Sequence, residues 1–321
     1  MYTAHQIKMI NFIKISDFPK YFTCPYCPRN GKTSLQVIKN GVHCQKCQRK
    51  FLIRNHILEF VINKELDSET KRELKGNSYP LTKKNIEHYA NKDKWSAYYN
   101  HFVNQKFEYL LKFLDSIHMG GIISLGSGHG FELKEILKRK KFNLVFSSDL
   151  AYAATSIVPV TLKDYNVDLG LFTSDLNHTP VIPNNDMPIL IYEALHHTGD
   201  IHFTVEELLK RKFKNILFVE PTTNFLIKIL AKFNLAQRVE YSGLKPDFLD
   251  IDILKKLSKK YNYNLKIRTL WDIPEDYFRV ICKRDSLLQT ILLKFIDIFS
   301  QVGNVFQFGS FAVVSLEQSK Y

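Results

Sequence analysis

Residues Ile122-Ile123-Ser124-Leu125-Gly126-Ser127-Gly128-His129-Gly130-Phe131-Glu132 run from an apolar stretch, through three closely spaced glycines, into a helical pattern. That order predicts a buried strand, a tight turn and a helix. Gly126 and Gly128 let the backbone turn sharply and approach a ligand, while the start of a helix offers unpaired N–H groups to a negative one. By itself the stretch also fits a plain strand-to-helix turn that needs small residues. It is not a clean dinucleotide fingerprint, because Phe131 stands where the third glycine would be.

Working outward, the chain alternates. A helix is expected over 131–141 and strands over 143–148, 167–173, 188–192 and 215–219, with a further helix over 205–213. Two later strands, 265–271 and 306–316, flank an amphipathic helix over 286–300. Upstream, 84–117 is helical, with Trp95, Tyr98, Tyr99, Phe102 and Phe107 on its apolar face. Strands alternating with helices predict an α/β fold: a Rossmann-like, mostly parallel sheet with helices on both faces.

The N-terminal part has a different character. Cys24-Pro-Tyr-Cys27 and Cys44-Gln-Lys-Cys47 are separated by sixteen residues, a spacing that fits a structural zinc site. Four thiolates close a tetrahedral shell and leave no position for catalysis, and so small a module needs the metal for its stability. Between the pairs, Leu35 to Ile38 followed by Asn40-Gly41 predicts a hairpin. The expected organisation is a zinc ribbon over 1–62, a polar linker over 63–82 and one compact α/β domain over 83–321. The fifth cysteine, Cys282, lies in an apolar stretch with Phe278, Val280 and Ile281 and reads as a buried, inert thiol.

Composition narrows the class. The 321 residues are 45% apolar and 24% charged, which excludes wholesale disorder and fibrous architectures. No apolar run is long enough to span a membrane, since 286–299 is broken by Lys294 and Asp297. Residues 1–14 have no apolar core of a secretory signal, and the odd cysteine count argues against a disulfide framework, so a cytoplasmic protein is expected. The net charge of +13 is concentrated toward the N-terminus: residues 20–56 hold eight Lys/Arg and no acid. A Lys-rich composition along the whole chain and a phosphate-attracting surface both account for this.

From Lys83 to about Thr222 the chain resembles the class I S-adenosylmethionine-dependent methyltransferases, of the broad type 11 kind. The resemblance rests on five motifs in order: Leu125 to Gly130; Asp149-Leu150 after Phe146-Ser-Ser; Ser174-Asp175-Leu176 ahead of Pro180 and Pro183; Tyr192-Glu193-Ala194-Leu195-His196-His197; and Phe218-Val219-Glu220-Pro221. It implies S-adenosylmethionine as cofactor. Gly126, Ser127, Gly128 and Gly130 would wrap its methionine part, Asp149 would hold its ribose, Asp175 and Leu176 would meet its adenine, and Leu150 would also contact the cofactor. Glu193 would contact the cofactor or orient a histidine. An acid about 20 residues past a Gly-rich turn also suits the ribose chemically, because a carboxylate accepts two hydroxyl protons. The family usually carries an acid two residues before its first glycine, where this chain has Ser124.

Direct methyl displacement needs alignment above all, plus a base if the acceptor is protonated. His197 or His196, at the carboxyl end of a strand, has the intrinsic pKa for that duty. The acceptor is expected to be a small molecule, such as a sugar, lipid or natural-product intermediate. Alternatives are an rRNA or tRNA, bound through the basic ribbon, and a non-catalytic binding protein with a degenerate methyltransferase fold, which Ser124 motivates.

Overall fold

Continuous apolar runs such as Ile122-Ile123 and Leu217-Phe218-Val219 suit strands covered on both sides. The computed structural model describes residues 10–27, 35–90, 96–117, 120–183, 187–232, 247–273 and 282–319. Trp95, Asp186, Phe278, Val280 and Ile281 lie outside the described residues; Cys282 is buried, as its apolar setting suggested.

Among these residues twelve strands form one sheet. In chain order they are β1 (Ile10–Phe12), β2 (Leu35–Ile38), β3 (Gly41–Cys44), β4 (Lys50–Arg54), β5 (Ile57–Glu59), β6 (Gly121–Leu125), β7 (Leu144–Asp149), β8 (Val167–Thr173), β9 (Ile189–Tyr192), β10 (Asn215–Pro221), β11 (Tyr263–Leu270) and β12 (Phe311–Gln318). The centre is parallel, in the order β8-β7-β6-β9-β10, and β12 lies antiparallel between β10 and β11. This is a Rossmann-like α/β sheet.

Alternation along each strand sends side chains to two cores. Ile122, Val145, Leu190 and Leu217 meet the helices Ala97–Asp115 and Phe131–Leu137 on one face. Ile123, Phe146, Ile191 and Phe218 meet the helices Ile201–Lys210 and Ile251–Lys260 on the other.

The cysteine-bearing module continues this sheet. Two short strands share the outer edge of β8, with Ile10 opposite Val167 and Ile57 opposite Leu171, and β4, β3 and β2 extend outward from β5. The hairpin at Asn40-Gly41 forms, with Ile38 opposite Gly41. Phe22 is the joint, its ring centroid 4.6 Å from that of Phe172, 5.3 Å from Phe146 and 5.7 Å from Phe60.

Three stretches differ from the sequence expectation. Residues 63–82 contain the helix Ser68–Gly76, capped by Asp67 accepting the Thr70 N–H at 2.8 Å. The helical region 84–117 divides into Lys83–Ala90 and Ala97–Asp115. The helix expected over 286–300 runs over Leu287–Phe306, because its apolar spacing of three and four residues persists. It stops where Gln307 adopts a φ of +56° and the Phe308 N–H returns to the Gly303 carbonyl, so the last strand begins only at Phe311.

Phe22→Ala removes an aromatic side chain from the seam between module and sheet and should cost roughly 3–5 kcal/mol. Urea unfolding of the full chain should show one transition with a lowered midpoint. An unchanged midpoint would mean that the module does not share the sheet's core.

Candidate functional site

The strand order reverses at β6, which has β7 on one side and β9 on the other. Open α/β sheets bind ligands outside the carboxyl ends of their strands at such a reversal. A cavity of about 580 Å³ occupies this position, and Gly126, Gly128, Asp149, Leu150, Asp175, Leu176, Glu193 and His197 all line it.

Its floor is the Gly-rich turn. Gly126 has a φ of +66°, and a Cβ there would stand 2.5 Å from that of Ala194. Gly128 has a φ of +52° and nothing within 4 Å of where its Cβ would lie, so its backbone faces open space. The Gly128 N–H donates to Asp149 Oδ2 at 2.9 Å, and the Ala151 N–H to Oδ1 at 2.9 Å. Each oxygen keeps a lone pair for a further donor. Burial raises the Asp149 pKa and nearby Glu73 adds to it, against the pull of the two N–H donors.

Ser127 and Gly130 belong to the turn but do not line the cavity. Gly130 precedes the helix Phe131–Leu137 as its N-cap residue. The Ser127 hydroxyl donates to Glu132 Oε1 at 2.6 Å, and the Ser124 hydroxyl donates to the same oxygen at 2.6 Å. A fully enclosed carboxyl thus sits beneath the turn, supplied by the following helix rather than by position 124. Burial pushes its pKa up to about 7, against the two serine hydroxyls.

The remaining walls come from the ends of β8 and β9. Asp175 accepts the Asn177 N–H at 3.0 Å and pairs with His178 Nδ1 at 2.7 Å, which fixes the turn carrying Leu176. Glu193 has a φ of +50° and accepts from Lys106 Nζ at 2.8 Å. That buried lysine also donates to Asp272 Oδ2 at 2.7 Å. Burial opposes the lysine's charge, but Asp272 and Glu193 outweigh it and raise its pKa.

The two histidines part company. His197 lines the cavity, its Nδ1 3.7 Å from Glu73 Oε1. His196 is not among the lining residues, and its Nδ1 lies 2.7 Å from Oε2 of the fully buried Glu220. Glu220 Oε1 also accepts the N–H groups of Ala194 at 2.8 Å and Leu195 at 2.7 Å, so it pins the loop after β9.

Sequence reasoning missed Glu73, Lys106, Glu132 and Asp272. Glu73 comes from the helix Ser68–Gly76, which closes the cavity from above the turn with Thr70, Gly76 and Asn77. Its Oε1 accepts from Asn77 Nδ2 at 2.6 Å, while Oε2 is buried with no hydrogen-bond partner among the described residues. The Asp67 cap ahead of Thr70 is the local signal that would have marked this helix.

At the other edge of the sheet Cys24, Cys27, Cys44 and Cys47 converge, with all four sulfurs within 4.8 Å of one another. The Cys24–Cys47 and Cys27–Cys44 sulfur pairs are each 3.6 Å apart. Zinc–sulfur bonds of about 2.3 Å in a tetrahedral shell set sulfurs roughly 3.8 Å apart, so the donor set fits. Burial raises the Cys24 and Cys27 thiols, the latter to about 11; for Cys47 burial is outweighed by Arg49, which lowers it.

No family model matches the chain, and no curated protein matches it. Among solved structures it is similar to magnesium protoporphyrin IX methyltransferase from Synechocystis with bound SAM, at 8% identity over 79% of this chain and 99% of that one, with a TM-score of 0.47. It is similar to the YcgJ protein of Bacillus subtilis at 12% identity over 68% and 100%, TM-score 0.47. A third is a Haloferax volcanii protein in complex with the Trm112 methyltransferase activator, at 13% identity over 64% and 85%, TM-score 0.43. These are distant likenesses, and the functional reading rests on the geometry above. No described helix is long and apolar enough to cross a membrane.

Glu132 supplies a pH test. With its pKa raised from 4.5 to about 7, the native state binds more protons than the unfolded chain between those values. Its contribution therefore lowers stability as pH rises through that window, by on the order of 3 kcal/mol, and is level above it. Glu132→Gln removes the titration. In urea unfolding the variant should gain on the wild type between pH 5 and pH 8. An equal difference at both pH values would show that the carboxyl does not titrate there.

Proposed function

We propose that the protein transfers a methyl group from S-adenosylmethionine to a small-molecule acceptor. One observation carries this reading: the Gly128 N–H and the Asp149 carboxylate meet at 2.9 Å on the wall of a cavity at the strand-order reversal. When bound, the cofactor supplies an electrophilic methyl on a sulfonium.

The chain's own residues do the rest. Asp149 accepts the ribose hydroxyls with the lone pairs its backbone donors leave unused. Gly126 and Gly128 let the methionine part lie against the backbone, and Leu150 and Leu176 give the adenine apolar walls. The buried Oε2 of Glu73 and the carboxylate of Glu193 face a cationic ligand, a charge match that their partial burial strengthens. His197, in the cavity wall, takes the acceptor's proton, whereas His196 is a positioning residue held by Glu220. Glu132 keeps the Gly-rich turn in shape through Ser127 and does the work left vacant at Ser124, which favours an active enzyme over a degenerate relative.

A zinc ion held by Cys24, Cys27, Cys44 and Cys47 has a structural role, since four thiolates leave no open position. The small-molecule reading is preferred over RNA because two basic side chains of the ribbon are spent at home: Arg49 pairs with Glu65 at 2.9 Å and Arg54 with Glu59 at 3.0 Å.

Calorimetry with S-adenosylhomocysteine tests the proposal. The wild type should bind, and Asp149→Ala should weaken binding about tenfold or more, as expected for a lost charge-assisted contact. Zinc content should stay at one ion per chain in both. Wild-type protein that binds no detectable ligand at millimolar concentration would end the cofactor assignment.

A further inference from the structure

The helix Leu287–Phe306 is built inside out. Its buried residues include Gln289, Ser300 and Gly303, and it docks through polar contacts: Ser300 Oγ accepts the Trp271 N–H at 2.9 Å, and Asn304 Oδ1 the Thr269 N–H at 3.0 Å. Ile296 is buried and Leu292 and Leu293 pack partly against the core, but the other large apolar residues point outward. Leu287, Phe295, Val305 and Phe306 are 65–78% exposed, and Ile291, Ile298 and Val302 are exposed between them. Steps of three and four residues place these side chains in one stripe about 28 Å long. A helix covering a water-facing surface has the opposite arrangement.

The stripe is extended at its C-terminal end. Asn224 Nδ2 donates to the Gly309 carbonyl at 2.7 Å, which sets the start of the helix Phe225–Lys232 beside it, and Phe225 is exposed as well. Around these two helices Lys228, Lys232, Lys283, Arg284 and Lys294 are exposed, against one exposed acid, Asp285, among the described residues of the two segments. Asp297 is turned inward and pairs with His101 at 2.8 Å.

We propose that this face docks onto an anionic lipid bilayer, with the stripe lying in the headgroup region. An apolar helix face carrying Phe and Leu, rimmed by Lys and Arg, has the composition of an interfacial helix. The basic rim attracts acidic headgroups. The same rim argues against a second copy as occupant, because a two-fold interface would set like charges against each other. The helix lies on the membrane and does not cross it. Asp297 ties the helix, through His101, to the one that carries Lys106. This surface stands on its own, whether or not the cavity holds a sulfonium nucleoside.

Flotation of the full chain with vesicles tests it. Binding to 70:30 phosphatidylcholine:phosphatidylglycerol should be tenfold or more tighter than to pure phosphatidylcholine, and 1 M NaCl should reverse the gain. Phe295→Glu with Ile298→Glu should reduce binding at least tenfold while leaving circular dichroism and thermal unfolding unchanged; both side chains are exposed, so the fold survives. Failure to bind the anionic vesicles, or binding that the double variant retains, overturns the proposal. So does a dimer by light scattering that the double variant converts to a monomer without any vesicle association.

Discussion

A single carboxylate organises the site. Asp149, at the end of β7, reaches across to the Gly-rich turn after β6 and holds the Gly128 N–H, while its other oxygen holds the N–H of Ala151. An exposed backbone donor in a positive-φ turn has no partner in the sheet, and a buried carboxylate has no solvent, so each satisfies the other. The consequence is geometric. The turn is kept open above Gly128 in the place where strands diverge and a ligand can enter.

Other buried carboxyls repeat the device. Glu132 accepts two serine hydroxyls under the same turn, and Glu220 gathers two backbone N–H groups and a histidine behind the loop after β9. Glu193 is fixed by a lysine that shares its charge with Asp272. The cavity is therefore framed by loops whose shape is set electrostatically from beneath, leaving Asp149, Glu73 and His197 on its wall to meet a ligand. Preorganisation of this kind costs nothing at the moment of reaction.

What was legible in the sequence follows from distance along the chain. The β6 strand, its turn and Asp149 lie within one strand–helix–strand unit, so their relation shows as local spacing. Val167 to Thr173 was readable to the residue because Val167, Leu169, Leu171 and Phe172 form an apolar stretch interrupted only by Asp168 and Gly170. Lys106 was not readable: its partners lie 87 and 166 residues away, and a lysine on an apolar helix face looks like a flaw until they are seen. The helix bearing Glu73 lay hidden in a stretch whose polarity suggested a linker. Strands of three residues, such as β1 and β5, are too short for alternation to register, which is why the union of the cysteine module with the main sheet emerged only in three dimensions.

The chemistry of this molecule turns on what the hollow beside Asp149 receives. A crystal structure of the chain soaked or grown with S-adenosylhomocysteine addresses it directly. The expected result is a nucleoside with both ribose hydroxyls on the Asp149 carboxylate and the amino-acid part along Gly126 to Gly128. A nucleoside seated elsewhere on the molecule, or a cavity closed by the chain's own side chains under saturating ligand, would contradict it.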